Sequence, residues 1–130
     1  MFIGDENQRR FNDTAAAEGL SMRLLHALLD LSPTEAKPMR DLAEFWYCDA
    51  SYVTSLVDGL EERGLAVRDP SPTDRRVKLV RLTGKGEAVR QRATERLSTP
   101  PNGMRALGAA ELRTLRTLLE KAASDYPWSD

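Results

Sequence analysis

The chain has one cysteine, Cys48, and one histidine, His26. That scarcity excludes an internal disulfide framework and any multi-cysteine zinc site. One imidazole and one thiol also make neither a metal site nor a nucleophile pair, and no metal or cofactor is expected. Apolar runs of the ~18 residues needed to span a bilayer are absent, so no membrane partner is expected. The opening MFIGDENQRRF lacks the basic start and apolar stretch of a secretory signal. The expected setting is reducing and cytoplasmic. There is no phosphate loop, no nucleophile elbow and no convergent carboxylate pair, which argues against an enzyme.

What is present is a strong segregation of charge. The 130 residues carry a net charge of −1, yet residues 63–92 hold nine Lys/Arg against three acids. Residues 1–62 hold five cations against twelve acids. Such an asymmetry bears on partners rather than fold, and a basic segment on a near-neutral chain points to a polyanion. At its centre lies DPSPTDRRVKLVRLTGKG, Asp69 to Gly86, in which cations alternate with aliphatic residues.

Helical periodicity brackets this ribbon. Leu20, Leu24, Leu28 and Leu31, with Leu25, share one face, and Ser32-Pro33 ends that helix. Upstream, Asp5 to Glu18 reads as a short polar helix closed by Gly19. Leu42, Phe45 and Trp46 give a short apolar face, with Phe45 and Trp46 expected in the core. Asp49 is placed to N-cap a helix from about Ala50 to Arg63, with Val53, Leu56, Val57 and Leu60 inward and Gly64 as its stop.

LAVRDP and RRVKLVRLT read as two strands joined by SPTD turn chemistry. Thr83 caps a helix to about Leu97. Ser98 to Gly103 is a linker, and Leu112, Leu115, Leu118, Leu119 and Ala122 mark a last amphipathic helix. Helix, turn, helix, then a basic hairpin is the order of a winged helix. The fold expected is mainly α with a small β component (α+β). In such a fold the hairpin reaches DNA backbone or a minor groove, where an arginine suits the negative potential. Arg76 is that arginine, with Asp74 two residues earlier as its charge-assisted partner and Pro70 and Pro72 stiffening the tip. The rival reading of the same ribbon is a winged-helix protein-interaction module that binds an acidic partner.

Asp74-x-Arg76-x-x-x-Val80-x-Leu82-Thr83 and Gly86 resemble the wing of the MarR (multiple antibiotic resistance regulator) family. Asp41-Leu42-Ala43, Cys48-Asp49-x-Ser51-x-Val53-Thr54, Leu56-Val57-Asp58-x-Leu60-Glu61, Gly64-Leu65 and Arg68 resemble its helix-turn-helix. The resemblance covers roughly residues 20–97. It implies a homodimer bound to a pseudo-palindromic operator in double-stranded DNA, usually as a repressor, and often released by a small phenolic or lipophilic effector. It implies a DNA-binding domain over 20–97. Residues 1–19 would be a short N-terminal dimerisation segment, and 98–130 a linker with a C-terminal dimerisation helix.

The resemblance also assigns residues. Ala50, Ser51, Tyr52, Thr54 and Ser55 would face the major groove, and Arg40 a phosphate. Arg76 would enter a minor groove, oriented by Asp74, with Arg75 and Lys78 beside it on the basic wing. His26 and Trp46 would line an effector cleft where the 20–31 helix, the end of the 84–97 helix and the dimer helices meet. A redox alternative makes Cys48, just before the Asp49 cap, the sensor. Tyr47 departs from the pattern: it occupies the turn, where relatives commonly carry glycine.

Overall fold

Apolar residues at every third or fourth position make a helix that must bury one face, and here the helices Met22–Asp30 and Ala50–Glu62 bury theirs in one core. The computed structural model describes residues 2–100 and 102–124. Its elements run α1 (Phe2–Ala17), α2 (Met22–Asp30), β1 (Lys37–Pro38), α3 (Met39–Phe45), α4 (Ala50–Glu62), β2 (Ala66–Pro70), β3 (Lys78–Leu82), α5 (Gly84–Leu97), a 3-10 turn at Asn102–Met104, and α6 (Ala109–Ser124). No helix among the described residues is long and apolar enough to cross a membrane.

The core lies between α2, α3, α4 and the sheet. Leu25, Leu28, Leu31, Leu42, Val53, Val57, Leu60, Val80 and Leu82 are its largest fully buried side chains. The expected helix-turn-helix and hairpin are both present. The antiparallel sheet adds a strand the sequence did not announce, in the order β1-β3-β2. Lys37 pairs with Val80 and Pro38 with Leu79. Two residues are too few to show alternation, and Pro38 is tolerated because β1 is an edge strand. Leu82 N–H also donates to Ser32 O at 2.9 Å, fastening the wing to the chain just after α2.

Two expectations need correction. Phe45 is not core: it is 58% exposed, with the Lys37 ammonium 5.3 Å from its ring centroid. Trp46 is only half-buried, and its indole N–H donates to Asp30 Oδ2 at 2.9 Å. The short α3 can turn one apolar face inward, and Leu42 occupies it. The polar helix expected over Asp5–Glu18 is present as α1, begins three residues earlier and makes contacts the sequence did not announce. It has 16 residues, buries Thr14 and Ala15, and stacks Phe11 on His26 with ring centroids 4.4 Å apart. Tyr126 and Trp128 lie outside the described residues.

α1 is tied to α5 by charge. Arg10 donates to the carbonyls of Arg96 and Leu97 at 3.1 and 3.3 Å, and also to that of Thr99. It thereby satisfies acceptors left open at a helix C-terminus. At the other end Glu18 accepts from Arg92 Nε and Nη2, both at 2.9 Å. The Arg92 hydrogen bond holds the Glu18 carboxyl below its ordinary value of 4.5. A carboxyl acidified by folding contributes stability that is full above the ordinary value. That contribution is lost as pH falls through the lowered one. Glu18→Gln should therefore melt below wild type at pH 7, and the gap should close on acidification below 4.5. Thermal melts across that range check it; a gap independent of pH would contradict the assignment.

Candidate nucleic-acid interface

The interface is built on α4. Asp49, in extended backbone at φ −77° and ψ 165°, caps the helix by accepting from Tyr52 N–H at 2.8 Å. The Ser51 hydroxyl donates to the same oxygen at 2.7 Å. That bond first, and the Tyr52 N–H second, hold the Asp49 carboxyl below the usual carboxylate range. Because Val53, Leu56, Val57 and Leu60 turn inward, the periodicity leaves Ala50, Ser51, Thr54 and Ser55 exposed on the opposite face. Thr54 donates its hydroxyl proton to Ala50 O at 2.9 Å. With their protons engaged locally, Ser51 and Thr54 offer lone pairs outward, which match amino-group donors on base edges.

Tyr52 does not share that stripe. It is half-buried on the flank facing α2, where the Arg23 guanidinium lies 5.6 Å from its ring centroid. Arg40 is exposed at the start of α3, with Nε 3.7 Å from Asp41 Oδ1. Gly59 sits where α4 meets α2, and a Cβ there would lie 2.9 Å from Leu24 Cδ2. Its smallness is therefore a packing matter between these helices.

The wing projects beside α4. Its tip is closed by Ser71 N–H to Val77 O at 2.8 Å and Val77 N–H to Asp74 O at 3.0 Å. Asp74 Oδ1 accepts from the Arg76 backbone N–H at 3.1 Å and from Arg76 Nε at 3.3 Å. The arginine is thus oriented while its side chain stays 92% exposed. Arg75 and Lys78 are exposed and have no acidic partner among the described residues.

Other cations of the basic segment are engaged. Arg68 donates through Nη2 to Glu61 at 2.8 Å and also to Asp58, and Glu61 accepts the Arg68 backbone N–H at 2.8 Å. The Glu61 hydrogen bond is the main reason the guanidinium is held even more firmly protonated than usual. This cluster locks the base of the wing to the recognition-type helix. Arg81 pairs with Asp69 across the hairpin, and Arg90 with Glu87 along α5. Sequence reasoning saw Asp58, Glu61 and Arg68 only as parts of a family pattern. Their convergence depends on the angle at which β2 leaves α4.

His26 and Trp46, the expected effector residues, do come together. With Arg23, Ala27, Asp30, Tyr52 and Leu56 they line an open cavity of about 270 Å³. It lies between α2 and α4, however, with no residue of α5 or α6 in its lining. Cys48 is half-buried against the core in the turn before Asp49.

A short helix, a turn, a capped second helix and then a basic β2–β3 hairpin define a winged helix-turn-helix protein. Residues 20–78 match the model of the MarR family. Those residues span the helix-turn-helix and reach the first residue of β3, and the family they match is one of DNA-binding transcription regulators. Solved structures agree in fold. Wild-type apo MarR from E. coli superimposes with a TM-score of 0.78 at 23% identity, over 93% of this chain and 90% of that one. YusO from Bacillus subtilis gives 0.76 at 22%, over 95% and 89%. A cysteine-to-serine mutant of E. coli MarR complexed with operator DNA gives 0.69 at 23%, over 93% and 88%. No curated protein sequence matches the chain.

Proposed function

We propose that the protein is a cytoplasmic, sequence-specific regulator that binds a pseudo-palindromic operator as a homodimer and acts as a repressor. The observation that carries the proposal is the wing tip: an arginine almost wholly exposed, yet fixed by Asp74, on a hairpin locked to α4. A preset cation loses little freedom on docking, which suits a groove more than a flexible surface does. In this reading Ala50, Ser51, Thr54 and Ser55 face the major groove. Tyr52 contacts DNA from its flank, Arg40 holds a phosphate, Arg76 enters a minor groove, and Arg75 and Lys78 meet the adjoining backbone. The 20–97 lobe reads DNA, while α1 and α6 carry dimerisation.

Release by a small lipophilic or phenolic effector fits the cavity lined by His26 and Trp46. Tyr52 sits in that lining and on α4, so occupancy there acts directly on the recognition helix. An effector shifts DNA binding only by its differential affinity for the two arrangements of that helix.

Duplex DNA selected from a random pool provides the test. Binding should weaken steeply with salt as neutralised phosphates release counterions. Arg76→Ala should cost about 1–3 kcal/mol of operator binding, and Asp74→Ala part of the same loss. Wild-type affinity in both variants at low salt would overturn the wing assignment.

A further inference from the structure

We propose that α4 reads pyrimidine C5-methyl groups: the methyls of Ala50 and Thr54 pack on two thymines of each half-site, and no side chain of the helix singles out guanine. The inference rests on the DNA-binding reading above and adds to it the kind of base that the major-groove helix selects.

The side chains that read a purine by paired hydrogen bonds are arginine, lysine, asparagine and glutamine. The thirteen residues of α4, ASYVTSLVDGLEE, include none of them. The first cation along the helix is Arg63, at its C-cap, where it donates to Gly59 O at 2.8 Å. Carboxylates could accept from cytosine, but those nearest the exposed stripe are engaged. Asp49 caps the helix, and Asp58 and Glu61 hold Arg68. The exposed stripe itself is Ala50, Ser51, Thr54 and Ser55.

The hydroxyls of that stripe discriminate little. Ser51 gives its proton to Asp49 and Thr54 to Ala50 O. Their remaining lone pairs accept equally from adenine N6 and cytosine N4. Ser55 has one hydroxyl proton, which reaches N7 of either purine and does not tell guanine from adenine.

Methyl groups do discriminate. Of the four bases thymine alone presents one in the major groove, at C5. Ala50 offers only its Cβ methyl. Thr54, its hydroxyl turned back on Ala50 O, keeps a methyl beside it. The two residues stand one turn apart on one face, about 5.4 Å along the axis. Base pairs are roughly 3.4 Å apart, so the two methyls meet two different pyrimidines. Both lie in the first turns of the helix, the part that reaches base edges. The exposed Arg76 of the wing favours the same kind of sequence by another route, the narrow minor groove of A·T tracts. No C5-methyl faces that groove, so the two readouts separate experimentally.

Wild type first selects a duplex from a random pool. Each thymine of a half-site is then replaced singly by deoxyuridine, which removes the C5-methyl and leaves every base-pairing group in place. Binding should weaken about fourfold at two positions, the scale of one buried methyl group. Thymines under the wing should show no penalty. Ala50→Gly should abolish the penalty at one of the two positions. Thr54→Ser, which keeps the hydroxyl that bonds Ala50 O, should abolish it at the other. Each comparison sets two duplexes against one protein, so a change in folding or in overall affinity cancels. Equal affinity for thymine and uracil at every position would overturn the proposal. Penalties that persist undiminished in both variants would do the same, because another group would then be reading the methyls. Failure of wild type to select any duplex would instead overturn the DNA-binding reading, and is seen before any substituted duplex is made.

Discussion

Operator affinity should fall by about 10²–10⁴-fold when Leu118 is replaced by aspartate, while binding to an isolated half-site stays as it was. The expectation comes from α6. Its 16 residues bury none of their side chains, and Leu118 and Leu119 are 59% and 58% exposed. Leu107, Ala110, Leu115 and Leu118 line an open, largely apolar hollow of about 410 Å³ along it. A helix with one apolar face that none of the described residues covers needs a partner surface. In the proposed homodimer that surface belongs to a second copy. Dimerisation makes the second half-site contact intramolecular, with half-site centres about 34–36 Å apart. A carboxylate at 118 would have to be desolvated in the interface, so the variant should sediment as a monomer. A wild-type protein that sediments as a monomer at micromolar concentration would contradict the assignment.

Gly86→Ala should destabilise the fold by about 3 kcal/mol or more, well beyond a typical single substitution. A Cβ at Gly86 would lie 2.0 Å from Leu65 O and 3.2 Å from Leu82 Cδ2. The carbonyl cannot retreat cheaply, because it accepts Thr83 N–H at 3.0 Å where the wing returns to the end of α4. The Thr83 hydroxyl reinforces that junction, donating to Gly64 O at 2.6 Å and accepting Gly86 N–H at 3.0 Å. Gly84→Ala is the control: it lies in the same helix, and its Cβ would meet nothing within 4 Å. It should be neutral or slightly stabilising. Urea denaturation of both variants decides the matter, and equal midpoints would show that α5 can move away from Leu65.

Local features of the sequence specified much of this molecule. The period of Leu24, Leu25, Leu28 and Leu31, the Asp49 and Thr83 caps, and the stops at Gly19 and Gly64, at φ 67° and 70°, are each fixed within a few residues. So are the inward face of α4 and the reach of Asp74 back to Arg76. Short-range hydrogen bonding and side-chain periodicity decide such features before any tertiary contact forms.

Other features required the folded chain. The basic excess over residues 63–92 is partly cancelled in space, because Arg68 takes Asp58 and Glu61, and Arg92 takes Glu18, all from outside that segment. Counting charge along a chain cannot anticipate such pairing, since it depends on how β2 leaves α4 and how α1 lies on α5. Phe45 and Leu42 are both apolar residues on α3, yet only Leu42 is buried, because a seven-residue helix has one side against the core. The two-residue β1 exists only because β3 is there to pair with it. Tyr47 is the sharpest case. The sequence marks it as an unusual residue for a turn, but its left-handed backbone, at φ 51°, and its exposed ring, between the half-buried Trp46 and Cys48, are seen only in the folded chain.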